Sequence, residues 1–324
     1  MTQFAVNFRQ LLVCLDSQTL LHQINLAAMH TKAFPYIGML SLFWGTNMVA
    51  SRFGIREFDP LLFIALRLTI ATLFFIPFLF LTGHRLPRET AVWRSAIISG
   101  ILGVSIPMST FILSLQYQSS GVASILLTAA PVMMVIAAHL FLPDEKLTRH
   151  KGLGVLLALA GTLFLAVRGE SGLADVGRAS PLGFGLIMIG VTSETANAMF
   201  VRQHMKKMDP MTVTGIRLGV GALVLAVITL LVADTSLAEI TVTGYVSLGY
   251  AALIGALGGQ FMAFYVMRRF GATAFSLTAY LIPVVAVILG VLVLDEIVTW
   301  GMLVGVVIIG GGIFMINWKG GGNG

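Results

Sequence analysis

The sequence predicts an all-α integral membrane protein of ten transmembrane helices, laid out as two inverted five-helix repeats. Three observations carry that expectation. The 324 residues are 57% hydrophobic and only 10% charged, against about a quarter charged in soluble domains, and the mean hydropathy is +0.93. The apolar residues come in runs near the ~20 that cross a bilayer at 1.5 Å per residue, divided by short charged or Gly/Pro stretches. One polar pattern then recurs at a fixed displacement along the chain.

The runs lie near 35–52, 60–82, 92–115, 120–143, 151–168, 181–203, 210–233, 241–267, 271–294 and 300–317. None alternates with period 2, and in lipid only a helix satisfies its own backbone groups without closing a barrel. The second and seventh runs follow Asp59-Pro60 and Asp209-Pro210 and carry Arg67 and Arg217. Pro107, Pro131 and Pro283 sit inside the third, fourth and ninth runs, where each releases a carbonyl and permits bending that could serve gating. His139 in the fourth run reads as a packed helix residue. Thr148 and Thr299 offer caps for the fifth and tenth helices, and the acidic pairs before them, Asp144-Glu145 and Asp295-Glu296, are expected to cap those following helices or order the turns. In the eighth run Gly258 and Gly259 precede the polar Gln260. Gly301, Gly305 and Gly310 to Gly312 in the tenth suit close helix packing.

Most of the 20 Lys and Arg fall in one set of alternate loops, while the other set holds only Arg52, Arg56, Arg168 and Arg178. Basic loops stay cytoplasmic, so both termini are placed inside and the protein in the cell (inner) membrane. The net charge of +6 is accounted for by anionic headgroups, and nucleic acid is not an expected partner. Cys14 is the only cysteine, which excludes a disulfide within the chain and a Cys-based metal site. Its surroundings lack the leader of a lipoprotein site, and no cofactor or metal is expected. Residues 1–33 mix polar residues with leucines and contain no signal-peptide core. They read either as an interfacial amphipathic segment or as the product of an upstream start codon, with Met29 as the alternative start.

The repeated pattern is N-x4-R-x6-D-P-x6-R. Asn47, Arg52, Asp59, Pro60 and Arg67 recur in register as Asn197, Arg202, Asp209, Pro210 and Arg217. Further on, Ser124, Pro131, Asp144-Glu145 and Thr148 recur as Ser276, Pro283, Asp295-Glu296 and Thr299. Five spans per copy is an odd number, so the second copy must enter the membrane upside down. Inverted repeats enclosing a midplane site are a common plan of secondary transporters. The expected units are an extension (1–33), a first repeat (34–168), a second repeat (181–317) and a short cytoplasmic tail (318–324).

These features resemble the EamA repeat of the drug/metabolite transporter superfamily, over roughly residues 35 to 317. Phe43-Trp44-Gly45-Thr46-Asn47 looks like that family's opening motif in the first helix. Arg67 looks like its second-helix arginine, and Ser124, Pro131 and Asp144-Glu145 resemble its fourth-helix serine, proline and acidic end. The second copy departs from the pattern at one place, where Glu194 stands opposite Trp44 in Ser193-Glu194-Thr195-Ala196-Asn197. The resemblance implies transport of small organic metabolites, with export of amino acids or related compounds as the leading expectation and vitamins, nucleobases or drugs as alternatives. It does not supply the substrate.

Glu194 is the residue of most interest. It lies about thirteen residues, or roughly 20 Å, into a core near 30 Å thick. A carboxylate at that depth costs on the order of 2.5 to 3.5 kcal/mol, so it must face a cavity, find a partner or take up a proton. Protons are therefore the expected coupling ion, and Glu194 a substrate or proton site. Asn197 shares its helical face, as Asn47 shares that of Trp44. The candidate binding set is Trp44, Asn47, Thr128, Glu194, Asn197, Gln260 and Tyr280, the last matching Thr128 in the other repeat. Arg67 and Arg217 are candidate charge partners, with bonds to carbonyls or helix ends as the structural alternative and Glu194 as a partner for Arg217. An intramembrane enzyme is the non-transport alternative, but the sequence has no H-E-x-x-H, Walker loop or His/Asp constellation, and no catalytic residue is expected. A homodimer is compatible with the sequence.

Overall fold

The computed structural model describes residues 33–84, 87, 89–141, 147–174, 178–205, 208–233 and 236–317. The N-terminal extension up to residue 32, Asp144-Glu145 and the 318–324 tail lie outside them. The chain forms helices α1 (33–54), α2 (Pro60–Leu81), α3 (Thr90–Ser114), α4 (Ser120–Phe141), α5 (Arg149–Arg168), α6 (Pro181–His204), α7 (Pro210–Val232), α8 (Val242–Gly271), α9 (Thr278–Leu294) and α10 (Trp300–Asn317). No strand occurs among the described residues. Helices α2 to α8 are each long and apolar enough to cross a membrane, and α9 and α10 are shorter apolar helices.

The helix starts follow from local chemistry. The Asp59 carboxylate accepts from the backbone N–H of Leu61 (2.8 Å) and Leu62 (3.3 Å) ahead of α2, and Asp209 accepts from Thr212 N (2.8 Å) ahead of α7. Pro60 and Pro210 occupy the first turn, where a missing N–H costs nothing. Ser119, Thr148, Ser180 and Thr241 cap α4, α5, α6 and α8 in the same way. Thr299 accepts from Met302 N (3.2 Å) at the start of α10. The ninth apolar run, expected from residue 271, is divided: Gly271 takes φ 84° and ψ 176° and kinks the chain, residues 272–276 are helical, and after a turn at Leu277 the membrane helix runs from Thr278.

Each of the first five helices packs against one of the last five: α2 on α7, α3 on α6, α4 on α9 and α5 on α10. Helix α1 meets α8 through Thr46 Oγ1 and Tyr250 Oη (2.7 Å) and through Ser247 Oγ, which donates to Ala50 O (2.5 Å). Large side chains such as Phe63, Leu68, Leu115, Leu126 and Ile187 fill the crossings. The tightest approach is α5 on α10. A Cβ at Gly154 would lie 2.7 Å from Gly312 O, and one at Gly161 would lie 2.7 Å from Ile309 Cγ1. Only glycine admits that spacing, which is how small residues drive association in lipid.

Candidate functional site

Helix α3 widens into one π-helical turn at Ile101–Ser105, just before Pro107. Proline has no N–H, so Gly103 O loses its α-type donor at i+4 and Leu102 O loses its π-type donor at i+5. Both orphaned acceptors are served from the second half of the chain. Ser193 Oγ on α6 donates to Leu102 O (2.7 Å), and Arg217 on α7 donates to Gly103 O (3.3 Å). Asn197, one helical turn beyond Ser193, is buried against the same turn. Its amide is satisfied at both ends when its nitrogen donates to Ser99 Oγ (2.6 Å) and its oxygen accepts from Arg217 (3.1 Å). A Cβ at Gly103 would fall on the Asn197 amide and the Arg217 guanidinium, so the bare glycine makes the cluster geometrically possible.

Glu194 belongs to this cluster. The outer, apolar stripe of α6 runs through the exposed Leu182, Gly185, Ile189, Thr192 and Ala196. Glu194 is two residues from both Thr192 and Ala196, about 200° round the helix from the first, so it points to the opposite, inner side. It is nevertheless accessible there, and therefore opens onto space inside the bundle and not onto lipid. Arg217 meets Asn197, one turn along α6 from Glu194, but it makes no ion-pair contact with Glu194 within 4 Å. Arg217 is instead taken up by Gly103 O and Asn197, and the carboxylate is left available.

The first copy is built on the same plan with different contents. Helix α8 has its own π-helical segment, Ala251–Gly258, and Asn47 is buried against it: a Cβ at Gly255 would fall on the Asn47 amide. Trp44 lies against Gly259, its Nε1 close to the glycine, and stands edge-on to Phe275 at 6.0 Å. Gln260, half-buried, is the next residue of α8. Arg67 is 3% exposed and donates to Ser51 Oγ at 3.4 Å, whereas Asn47 Oδ1 and Arg67 Nε have no partner among the described residues. The two asparagine faces thus pack on different helices, Asn47 on α8 and Asn197 on α3.

Thr128 and Tyr280 come together elsewhere. They line one cavity of about 230 Å³ between α4, α9 and α10, with Ile125, Pro283, Val287 and Met302. Helix α4 is interrupted at Thr128–Ala129, just ahead of Pro131, and Thr128 Oγ1 bonds back to Ile125 O (2.5 Å). His139 accepts from Leu147 N (3.1 Å) and fastens the end of α4 to the start of α5.

One expectation is corrected. Glu296 caps neither the following helix nor its own turn. It is 4% exposed and reaches the start of α4, accepting from Ser120 N (2.8 Å), Ser120 Oγ (2.8 Å) and Gly121 N (3.3 Å). The left-handed Asp295 (φ 55°) turns the chain so that the next side chain faces inward. Sequence reasoning also missed Ser99, Gly103 and Ser193. The position of Pro107 signals free acceptors at Leu102 and Gly103, but their donors come from α6 and α7. Among the described residues no three His, Cys, Asp or Glu side chains gather as a metal site.

Comparison with known proteins agrees with this architecture. Residues 32–167 and 181–318 each match the EamA-like transporter family. The chain is 28% identical over 282 residues to the uncharacterized transporter YoaV of Bacillus subtilis (86% of this chain, 95% of YoaV). It is 26% identical over 253 residues to the uncharacterized inner membrane transporter YedA of Escherichia coli K12 (78% and 79%). A solved crystal structure shares the fold with TM-score 0.60 over 90% of this chain and 97% of that one, at 17% identity. The fold and the paired matches define a multi-pass membrane transporter. The chain belongs to the EamA-like transporter family.

Proposed function

We propose that the chain is a secondary transporter that exports small organic metabolites, such as amino acids or related compounds, across the cytoplasmic membrane by alternating access coupled to protons. Ten helices cross the bilayer as two inverted repeats with both termini in the cytoplasm. The loop charge bias and the odd number of helices per copy support that arrangement, and the printed name of the relative YedA agrees with the inner membrane. The observation that carries the reading is Glu194: an accessible carboxylate on the inner face of α6, set beside Arg217 but not neutralised by contact with it. A carboxylate that is neither paired nor facing lipid can exchange a proton or meet a cationic group as the bundle rocks. Trp44, Asn47, Asn197 and Gln260 are the remaining proposed substrate contacts, while Thr128 and Tyr280 line a second, apolar cavity apart from them. Asn197 and Asn47 are each held against a π-helical turn of the other repeat, which supports a site where the two halves meet. Such turns occur frequently at functional sites.

The test uses purified protein in proteoliposomes with an imposed pH gradient. Substrate-dependent proton movement is expected in the parent and absent in Glu194→Gln. Proton movement that persists unchanged in the variant would remove Glu194 from the coupling role.

A further inference from the structure

We propose that the buried Glu296 carboxylate, Arg52 and the N-terminus of α4 form a latch that holds α4 against α9 and closes one face of the bundle over the cavity lined by Thr128 and Tyr280. The inference rests on the transport reading, because a latch needs two states to separate.

Its parts come from both halves of the chain. Glu296 follows the C-terminus of α9 and takes three hydrogen bonds from the first residues of α4. The positive end of the helix dipole favours an anion at that place. Arg52, near the end of α1, puts Nε 3.6 Å from Glu296 Oε1, with side chains 11% and 3% exposed. Arg56 donates to Leu294 O at 3.5 Å, one turn below. Beneath this polar knot α4 and α9 touch where α4 has no side chain: a Cβ at Gly121 would lie 2.9 Å from Val287 Cγ2 and 3.2 Å from Met302 Cε. The cavity begins there, since Val287 and Met302 also line it. Thr128 lies seven residues, roughly 10 Å, further along α4.

The chemistry suits a reversible closure better than a permanent joint. A buried ion pair contributes little net stability, because desolvation offsets most of the attraction, and its partners are readily resolvated when the interface parts. Both helices can also bend at the level of the cavity, α4 at its break over Thr128–Ala129 and α9 at Pro283. The latch lies where α1 ends and α10 begins, and the loop charges make that the external face.

The experiment reads accessibility and needs no substrate. In full-length protein with Cys14→Ser, a reporter Thr128→Cys is labelled with a charged, membrane-impermeant thiol reagent in right-side-out and inverted vesicles. Glu296→Gln and Arg52→Gln are each expected to raise the labelling rate from one side about tenfold, by shifting a closed–open equilibrium, and the double variant to add little to either. Unchanged labelling in both single variants, or fully additive effects, would overturn the latch. If Glu296→Gln does not fold, Arg52→Gln carries the test alone. Faster labelling in the reporter protein, together with no transport in proteoliposomes by the chain with Thr128 intact, would mean that the latch stands and the transport reading fails. Transport with unchanged labelling would mean the reverse.

Discussion

Gly103→Ala is the most direct probe of the polar cluster. The added methyl would land on the Asn197 amide and the Arg217 guanidinium, closer than real Cβ atoms approach a neighbour. Both neighbours are side-chain ends that can swing aside, so the overpacking itself falls at the low end of its range, about 1 kcal/mol. Pushing the two side chains away also weakens the bonds of Asn197 to Ser99, of Arg217 to Asn197 and of Arg217 to Gly103 O, each worth roughly 0.6 kcal/mol in a membrane. Against this stands the gain of about 0.5–1 kcal/mol that alanine brings to a helix interior. The expected net loss is roughly 2 kcal/mol. Gly185→Ala is the matched control, since nothing lies within 4 Å of its Cβ position on the outer face of α6, and it should be neutral or slightly stabilising. Reversible unfolding by SDS in mixed micelles, followed by circular dichroism, measures both. If Gly103→Ala falls within about 0.5 kcal/mol of Gly185→Ala, the spread expected of independent sites, then the glycine is not what admits the cluster.

Ser193→Ala removes the donor to Leu102 O, a carbonyl that Pro107 denies a helical partner. It should cost about 0.6 kcal/mol in the same assay, whereas Thr195→Ala, whose hydroxyl only returns to Val191 O in its own helix, should cost less. Asp209 caps α7 outside the membrane. Partial burial works to raise its pKa, but hydrogen bonds from the Thr212 side chain and backbone, the electrostatic influence of His84 and a hydrogen bond from the backbone of Met211 prevail and hold it below the ordinary value of 3.8. Its contribution is therefore complete above that value and is lost as pH falls through the depressed folded one. Asp209→Ala should lose about 1 kcal/mol at neutral pH. Asp209→Asn should keep the cap and flatten the acid limb of the stability curve, and a steep acid limb in that variant would contradict the assignment.

The membrane class and the helix positions were legible because the solvent is lipid: apolar runs of spanning length, Asp-Pro starts and Ser/Thr caps are all local signals. The repeat was legible because duplication preserves polar residues at fixed spacing. Glu194 could be singled out because a carboxylate at that depth is costly wherever the helix packs. Partner choices were not legible. Arg217 looked as able to pair with Glu194 as with a carbonyl, and Gly103 O won because Pro107 had left it without a donor. Thr128 and Tyr280 were grouped with the asparagines, yet they line a separate, apolar cavity between α4, α9 and α10.

The clearest division is at the two acidic pairs. From sequence alone they are equivalent turn residues beside Thr148 and Thr299, and those threonines do cap the helices that follow them. Glu296 goes instead to the start of α4, 176 residues away, because burial compels a carboxylate to find donors and the nearest free ones are the unpaired N–H groups of another helix. Sequence determines which groups must be satisfied, since that depends on composition and spacing along one chain. Tertiary packing decides which partner satisfies them, since that depends on which ends and faces the bundle brings within 3 Å of one another.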